Sequence, residues 1–486
     1  MEVDQTIIEA TIATYREELG EALAAMRKAD SPQGFVEAER ALHQLTKKFA
    51  ATMTESVLQK MSDDKTCRKK AAERVKDKAA TRGIKMRSER RRETDIRTLG
   101  GAMIRVTTPY MTARPQGGGT RDKRGSQGTG VYPVLDMLGI QSRSTPALRL
   151  HVALAVAESS STTAAREVLS SEGTDIDHKA ALRLTYDVTE DALRARERAI
   201  KETTEGNDEG EFIGKRVVVS VDGGRLRVRR RTQGRPRKGG RKHFVTEWRE
   251  PRVLTIYTVD EEGQRDKEVS SVIDATLGDA DATFRLLIYH LRRLGVHQAE
   301  HVSFVADGAP WIWVRTEGVR EALGLASARF TEFIDWYHVV ERLHGLSQVP
   351  SGWSEERRTA WVAEQKERLM EGQEGAVKKA SLELLEEGSK AYVAENAFWS
   401  RNANRMRYDL ARQVQLPIGS GAVESAVRRV VNLRLKGPTI HWLEEHAEGI
   451  LHLRSYAKAG RWKEIEQAVL SETGWRPKAR RVPKAA

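Results

Sequence analysis

The chain has 486 residues, of which 39% are hydrophobic, so it is long enough for two to four packed domains. Its formal net charge of +13 indicates a polyanionic partner, and nucleic acid is the leading class. There is no run of about 18 apolar residues and no signal-peptide pattern, which argues against a membrane protein and favours the cytoplasm. Cys67 is the one cysteine, which excludes an internal disulfide and a thiolate zinc site.

The N-terminal region is predicted to be helical. Apolar residues recur near helical spacing from residue 3 to about residue 60, which favours a helical hairpin or a small bundle. Residues 65–92 are much more basic and could follow DNA phosphates or form a solvated arm. We assign residues 1–100 to a helical region with a basic arm, and residues 101–140 to a Gly-rich linker with short strands.

Residues 141–206 show the pattern of a helix-turn-helix domain. Two short helices, a turn at Gly173 and a long helix from His178 are expected, and the last helix could lie in the major groove. Lys179 and Arg183 would then face the DNA. A three-helix bundle that does not contact DNA gives the same pattern, so both interpretations stay open.

Two apolar runs each end in an aspartate followed by glycine. Residues 216–221 are almost all β-branched, which is typical of a strand buried on both faces, and Asp222 follows them directly. Residues 301–306 repeat the design and lead into Asp307 and Gly308. Taken singly, Asp222 could be a turn residue and Asp307 a cap of the following turn.

Glu424 lies in the first turn of a helix predicted within residues 419–437. Two strand-end aspartates and one helical glutamate can share two divalent cations, because Mg²⁺ and Mn²⁺ prefer oxygen ligands. Two such cations about 3.5–4 Å apart activate the attacking oxygen and stabilise the leaving oxygen in phosphodiester chemistry. Glu424 could instead be a first-turn glutamate favoured by the helix dipole.

Four motifs occur together and in order: VSVDGG, FVADGAPWIW, DWYHVVERL and GSGAVESAVRRVVNLRLKG. In this combination the sequence resembles bacterial insertion-sequence DDE transposases of the Kra-type group, which lies near the Mutator-like transposases. The similarity covers roughly residues 100–460. It implies an α/β fold with an RNase H-like mixed five-stranded sheet and flanking helices, an N-terminal helical DNA-binding region and an all-α insertion domain. It also implies that Asp222, Asp307 and Glu424 are the catalytic ligands of two Mg²⁺ or Mn²⁺ ions.

The strands predicted for this core are 216–221, 225–231, 252–260, 302–306 and 330–334. Right-handed crossovers would place the first and fourth strands side by side and bring Asp222 and Asp307 together. The remaining boundaries follow from this core: its first part spans 207–340, a helical insertion domain 341–416, the glutamate-bearing helix 417–460 and a basic C-terminal tail 461–486.

Three auxiliary residues are expected beside the carboxylates. Asp335 and His338 resemble an aspartate- or cysteine-x-x-histidine motif of related transposases, although the histidine could equally cap or pack its helix. Arg428 lies one turn after Glu424, where it could contact phosphate or form an ion pair with that glutamate.

Arginine alternates with Leu226 and Val228 after Asp222, so guanidinium groups are expected along one face of a strand. The Gly- and Pro-rich loop that follows indicates DNA-backbone contact or a flap that orders on binding. Trp311 and Trp442 could stack on an unpaired base, although burial is the stronger expectation. The DNA-contacting side chains predicted in this half of the chain are Arg225, Arg227, Arg229, Arg230, Arg231, Arg235, Arg237, Lys238, Arg241, Lys242, Arg434 and Lys436.

These features predict a DDE transposase that binds terminal inverted repeats as a homodimer or larger assembly in the bacterial nucleoid. It would hydrolyse DNA at the element's end and transfer the freed 3′-hydroxyl to target DNA without a covalent protein intermediate. A domesticated DNA-binding protein without mobility and another RNase H-like nuclease, such as a junction resolvase, are the alternatives. Many relatives carry a cysteine-containing ribbon where residues 98–138 are Gly-rich, so a zinc-stabilised ribbon is not expected here.

Overall fold

The computed structural model describes residues 5–113, 130–231 and 244–475. The chain is mixed α/β and divides into two compact units, Met1–Asp191 with Glu466–Ala486, and Ala192–Ile465. Within the described ranges, no helix combines the length and the apolar character that crossing a membrane requires.

The first unit is mainly helical and carries two small sheets. Its elements are α1 (Gln5–Lys28), α2 (Pro32–Asp63), α3 (Lys65–Ala80), β1 (Met86–Ser88), β2 (Arg92–Arg97), β3 (Met103–Thr108), β4 (Met111–Ala113), β5 (Gly130–Val131), α4 (Pro133–Met137), α5 (Pro146–Glu158), α6 (Thr162–Ser171) and α7 (His178–Glu202), the last of which continues into the second unit. The hairpin of α1 and α2 was predicted. The first helix ends at Lys28, and Ser31 caps the second by accepting a hydrogen bond from Gly34 N at 3.1 Å.

Residues 65–113 are more ordered than the sequence indicated. The basic segment forms α3, which buries Ala71, Val75 and Ala79, so it is not a solvated arm. β2 and β3 pair antiparallel, and β1, β4 and β5 form a second sheet in the order β1-β4-β5. The part of 101–140 that the structure describes therefore contributes strands and α4 to a folded unit. Residues 114–129, which hold most of the glycines, lie outside the described residues.

The three-helix pattern predicted for residues 141–206 is present as α5, α6 and α7, with Gly173 in the turn at φ +78°. Arg149 and Asp191 form a buried ion pair at 2.7 Å that ties the first of these helices to the third. Lys179 and Arg183 are exposed on α7 and share a face, as the DNA-binding interpretation requires.

The second unit is built on a mixed five-stranded sheet. The strands of the whole unit, including two that lie outside this sheet, are β6 (Arg216–Gly223), β7 (Leu226–Arg231), β8 (Phe244–Arg249), β9 (Arg252–Val259), β10 (Val272–Thr276), β11 (His301–Ala306) and β12 (Phe330–Ile334). The central sheet has the order β10-β9-β6-β11-β12. β9 is antiparallel to both β6 and β10, whereas β6, β11 and β12 run parallel to one another.

The prediction that residues 225–231 form the second strand of this sheet is wrong. They form β7, which pairs with β8 in a separate two-stranded ribbon, because a strand lined with arginine is ill suited to a sheet that is buried on both faces. The place beside β6 belongs to β9. The third antiparallel strand is β10, which the sequence did not indicate.

The helices of the second unit are α8 (Ala280–Arg293), α9 (Pro310–Ala322), α10 (Trp336–Ser347), α11 (Glu355–Met370), α12 (Glu374–Leu382), α13 (Lys390–Asn402), α14 (Tyr408–Gln413), α15 (Gly421–Val427), α16 (Glu444–Lys458) and α17 (Trp462–Glu472). The region predicted as an insertion, 341–416, is helical. Its side chains Val362, Trp399 and Tyr408 belong to the same hydrophobic core as the sheet residues Val219 and Phe304.

The helix predicted within residues 419–437 is shorter than expected. α15 ends at Val427 and is followed by a π-helix, Arg428–Asn432, in which Leu433 N donates to Arg428 O at 3.0 Å. The predicted basic tail also begins later, because α17 buries Ile465 and Val469. Residues 476–486 lie outside the described residues.

Candidate active site

Three adjacent parallel strands end in aspartates at the same edge of the sheet. Phe304 pairs with Val219, so three residues further along each strand Asp307 lies beside Asp222. Ala306 pairs with Ile334, so the next residues in that register are Asp307 and Asp335. The backbone N–H of Asp335 donates to Ala306 O at 2.8 Å and keeps the two chains together at this point. Parallel pairing therefore brings three carboxylates to one edge.

Asp222 is half-buried and lies among negative charges. Burial raises the pKa of its carboxyl group above the usual value, and the N–H of Gly223, which donates to Oδ1 at 2.6 Å, only partly offsets this. The charges of Asp307 and Glu424 raise the pKa further, while His338 lowers it. The four side chains consequently form one electrostatic cluster, named here the carboxylate cluster: Asp222, Asp307, Glu424 and His338.

Asp307 is held at the start of a tight turn. Its Oδ1 accepts a hydrogen bond from Ala309 N at 3.0 Å, and its backbone oxygen accepts one from Trp313 Nε1 at 2.7 Å. A Cβ at Gly308 would lie 2.7 Å from Phe398 Cε2, so only glycine allows α13 to approach the backbone this closely. Asp307 therefore caps the following turn, as one of the two interpretations predicted. The cap uses Oδ1, so the second carboxylate oxygen, Oδ2, can bind a ligand.

Glu424 is exposed on α15, which packs against the turn that follows Asp222. A Cβ at Gly224 would lie 3.2 Å from Val431 Cγ1 and 3.4 Å from Val427 Cγ1, so the turn passes close to the helix and a larger residue here would displace Val431 by a few tenths of an ångström. The short distance between this turn and the helix explains why the charge of Glu424 acts on Asp222.

Asp335 is fully buried and serves as an anchor for its neighbours. Its Oδ1 accepts from Tyr337 N at 2.6 Å, and its Oδ2 accepts from Ser420 N at 3.0 Å and from Ser420 Oγ. Burial by itself would raise the pKa of Asp335, but the hydrogen bonds from His338, Ser420 and Tyr337 outweigh it and lower the pKa. Asp335 is therefore a carboxylate that orients other groups.

Ser420 connects this anchor to α15. Its Oγ lies 3.2 Å from Glu424 Oε1 as well as within hydrogen-bonding distance of Asp335. The sequence analysis missed Ser420, because a single serine between two glycines carries no distinctive signal. Tyr337 was missed as well: it is 65% exposed beside the cluster, with its ring against Gly419.

His338 carries a positive charge at neutral pH. Its Nδ1 lies 3.3 Å from Asp335 Oδ2, and this hydrogen bond is the main reason that the pKa of the imidazole rises to about 9. Burial opposes the shift, whereas the charges of Asp335, Asp307 and Glu424 support it. The side chain is 42% exposed, so an imidazolium group is presented to any molecule bound at the cluster.

We predict that His338 titrates near pH 9 in the metal-free protein and that Asp335→Asn returns its pKa toward the ordinary value of about 6.5. NMR titration of the imidazole ring would measure both values. Because the pKa is raised, the stabilisation from this interaction is complete below about pH 6.5 and is lost as the pH rises through 9. Titration below neutrality in the unmodified protein would contradict the charged assignment.

One ligand atom each from Asp335, His338 and Glu424 lies within 4.8 Å of the other two, a spacing that could hold a metal ion if that ion displaced the proton of His338. Among the described residues this group does not include Asp222 or Asp307, which join it through their charges. Oxygen donors predominate, as hard divalent cations require. The repulsion that raises the pKa of Asp222 is also what a bound cation would relieve.

The other predicted site residues have different surroundings. Arg428 is exposed at the start of the π-helix, and Lys436 is exposed beyond it. Arg434 is only 6% exposed, with its guanidinium 5.6 Å from the ring centroid of Trp442, so its position favours packing over phosphate contact. Trp442 is buried, as expected, and donates from Nε1 to Leu435 O at 3.1 Å, whereas Trp311 is only partly buried against the core.

The ribbon of β7 and β8 carries the predicted arginines. Leu226 and Val228 are buried, and Arg225, Arg229 and Arg230 are exposed, in agreement with the predicted alternation. Arg230 forms an ion pair with Glu247 at 3.1 Å. The predicted DNA contacts Arg235, Arg237, Lys238, Arg241 and Lys242, and the side chain of Arg231, lie outside the described residues.

Comparison of the chain with protein-family models, with curated proteins and with solved structures finds no match.

Proposed function

We propose that this protein is a DDE transposase of a bacterial insertion sequence, with an RNase H-like catalytic core that cleaves DNA and transfers the freed 3′-hydroxyl. The observation that carries the proposal is the register of β6, β11 and β12, which puts Asp222, Asp307 and Asp335 side by side at the end of three parallel strands. The sheet order β10-β9-β6-β11-β12, with its first three strands antiparallel, supports the RNase H-like assignment.

We assign two divalent cations, Mg²⁺ or Mn²⁺, to the carboxylate cluster. Asp222 and Asp307 would hold one or both, and Glu424 would complete the second site from α15. When bound, the cations supply activation of the attacking oxygen and charge stabilisation at the leaving oxygen. This assignment is supported by the oxygen donors and by the charges of Asp307 and Glu424, which raise the pKa of Asp222 beyond the effect of its burial.

The remaining residues of the site would orient the substrate. The His338 imidazolium is placed to donate a hydrogen bond to a non-bridging phosphate oxygen, and Asp335 keeps it protonated and fixed in direction. Ser420 links Asp335 to Glu424, so the same buried carboxylate positions both groups. Fixed charges of this kind lower the barrier because they need no reorganisation during the reaction.

DNA binding is proposed for three surfaces: α7 with Lys179 and Arg183, the arginines of β7, and the exposed Arg428 and Lys436 near the cluster. The net charge of +13 supports a polyanionic partner. We further propose that the protein binds terminal inverted repeats in the nucleoid as a homodimer or larger assembly, since two ends of an element must be brought together.

The test is cleavage of a duplex carrying the inverted repeats that flank the gene, with Mg²⁺ or Mn²⁺ and with EDTA as the control. We expect metal-dependent cleavage that leaves 3′-hydroxyl ends at the repeat boundary. Binding to the repeats without cleavage under any metal would favour the domesticated DNA-binding protein. Cleavage of four-way junctions regardless of the repeats would favour a resolvase.

A further inference from the structure

The two faces of the β7–β8 ribbon differ sharply. Leu226 and Val228 point to one face and are buried. The register pairs Arg227 with Trp248 and Arg229 with Thr246, so these four side chains lie together on the opposite face. The one acid within β8, Glu247, pairs with Val228 on the buried-side face and forms its ion pair with Arg230. On the face that carries Trp248, the described residues of β7 and β8 therefore include no Asp or Glu.

Trp248 is unusually exposed for its size. It is 55% exposed, whereas Trp313, Trp399 and Trp442 are each less than 10% exposed. The guanidinium of Arg225 lies 5.4 Å from the centroid of its ring and that of Arg227 lies 5.6 Å away. Arg227 also donates to Gly437 O, which fixes its position. An exposed indole with two guanidinium groups close to its ring combines a flat apolar surface with positive charge on a strand.

We propose that Trp248 stacks on an unpaired base of the bound DNA while Arg225 and Arg227 contact the adjoining phosphates. Stacking on tryptophan accepts any base, because every base offers a π-face, and arginines beside the ring follow the backbone. The inference deepens the proposed function and rests on it, since it takes the polyanion to be DNA.

The position of this face suggests which base it binds. Arg225 follows Asp222 by three residues, so their Cα atoms can be at most about 11 Å apart. Bases inside a duplex are stacked on their neighbours and are not available to a side chain. The base that Trp248 contacts is therefore one that is unpaired close to the phosphodiester held by the carboxylate cluster, at a frayed or cut end.

The experiment measures binding to two probes in the absence of divalent metal: a short oligothymidylate with one 2-aminopurine, and a blunt duplex with the same substitution paired. Trp248→Ala should weaken binding to the single strand by roughly ten- to a hundred-fold and change binding to the duplex by less than about three-fold. The intact protein should quench the 2-aminopurine fluorescence of the single strand, and Trp248→Ala should not. Trp248→Phe should retain most of the affinity.

The matched control is Trp353→Ala, which removes another tryptophan that has a guanidinium, that of Arg357, 4.8 Å from its ring centroid. This change should leave binding to both probes as in the intact protein. Equal loss of single-strand and duplex binding in Trp248→Ala, or unchanged quenching, would overturn the stacking proposal. Because neither probe is cleaved and no metal is present, failure of DNA cleavage would reject the catalytic proposal without deciding this one.

Discussion

Replacing Asp222 or Asp307 with asparagine should abolish metal-dependent DNA cleavage while leaving DNA binding intact. Asparagine keeps the size and the hydrogen-bonding oxygen of the side chain but removes the charge that would hold a divalent cation. We expect the rate to fall by more than about a hundred-fold, as it does when a preorganised electrostatic group is lost from an active site. Glu424→Gln should give the same result.

Stability measurements separate this explanation from simple unfolding. In the metal-free protein burial raises the pKa of Asp222, and repulsion from Asp307 and Glu424 raises it further, so neutralising Asp222 should leave the melting temperature unchanged or increase it. Mg²⁺ or Mn²⁺ should raise the melting temperature of the intact protein, because a ligand that binds the folded state stabilises it, and should do so less in the variant. DNA affinity should stay the same or increase, since one negative charge is removed near a phosphate.

Asp279→Asn is the matched control. Asp279 caps α8, with its Oδ1 accepting from Ala282 N at 2.8 Å, and asparagine caps helices equally well. Cleavage should be unaffected by this change. Cleavage that survives in Asp222→Asn and Asp307→Asn would remove these aspartates from the proposed mechanism.

The strands that carry the candidate site could be predicted because their signal is local. An apolar run that ends in aspartate and glycine defines the ends of β6 and β11, and right-handed connections then place these two strands side by side. The same reasoning placed Asp335 at the end of β12. These three positions depend only on short segments and on general rules of strand connection.

The pairing of β7 could not be predicted, because strand pairing is a non-local property. The alternation of arginine with Leu226 and Val228 gave the strand and its faces correctly. The alternation did not specify the partner strand, and β8 follows only after the Gly- and Arg-rich segment 232–243. Alternation is itself the mark of a half-buried ribbon rather than a central strand, so the signal was present but was assigned to the wrong sheet.

The break between α15 and the π-helix could not be predicted from the apolar pattern. Val423, Val427, Val430 and Val431 are all buried, and their spacing of i, i+4, i+7 and i+8 is also the one that a regular helix places on one face. The π turn that begins at Arg428 therefore leaves no mark in the hydrophobic periodicity.

β10 was missed because its middle residue, Asp274, is charged and yet fully buried. Three partners stabilise it: His290 Nε2 at 3.0 Å, His452 Nδ1 at 2.9 Å and Arg196 Nη1 at 3.4 Å. They come from α8, α16 and α7, far away in sequence. Burial alone would raise the pKa of Asp274, but the charges of His452 and Arg196 and the two histidine hydrogen bonds hold it well below the usual value.

Asp274→Ala should therefore destabilise the protein by about 3–5 kcal/mol, because it leaves two imidazole groups buried without their acceptor and removes one carboxylate from Arg196, which keeps its ion pair with Glu448. Urea unfolding followed by tryptophan fluorescence would measure the change. Asp281→Ala is the control: Asp281 is 69% exposed in its ion pair with Arg315, and such surface pairs contribute about 1 kcal/mol or less. Similar effects of the two substitutions would show that the buried network contributes little to stability.

The same network predicts a loss of stability in mild acid. Burial lowers the pKa of His290 to about 4, so this histidine stays neutral in the folded protein while it becomes protonated in the unfolded chain below about pH 6.5. Stability from His290 is thus present above that pH and is lost as the pH falls toward 4. Between about pH 7 and pH 5 the loss is about 2 kcal/mol. His290→Gln cannot be protonated, so its free energy of unfolding should fall less over this interval than that of the intact protein, and an equal fall in both would place the acid sensitivity elsewhere.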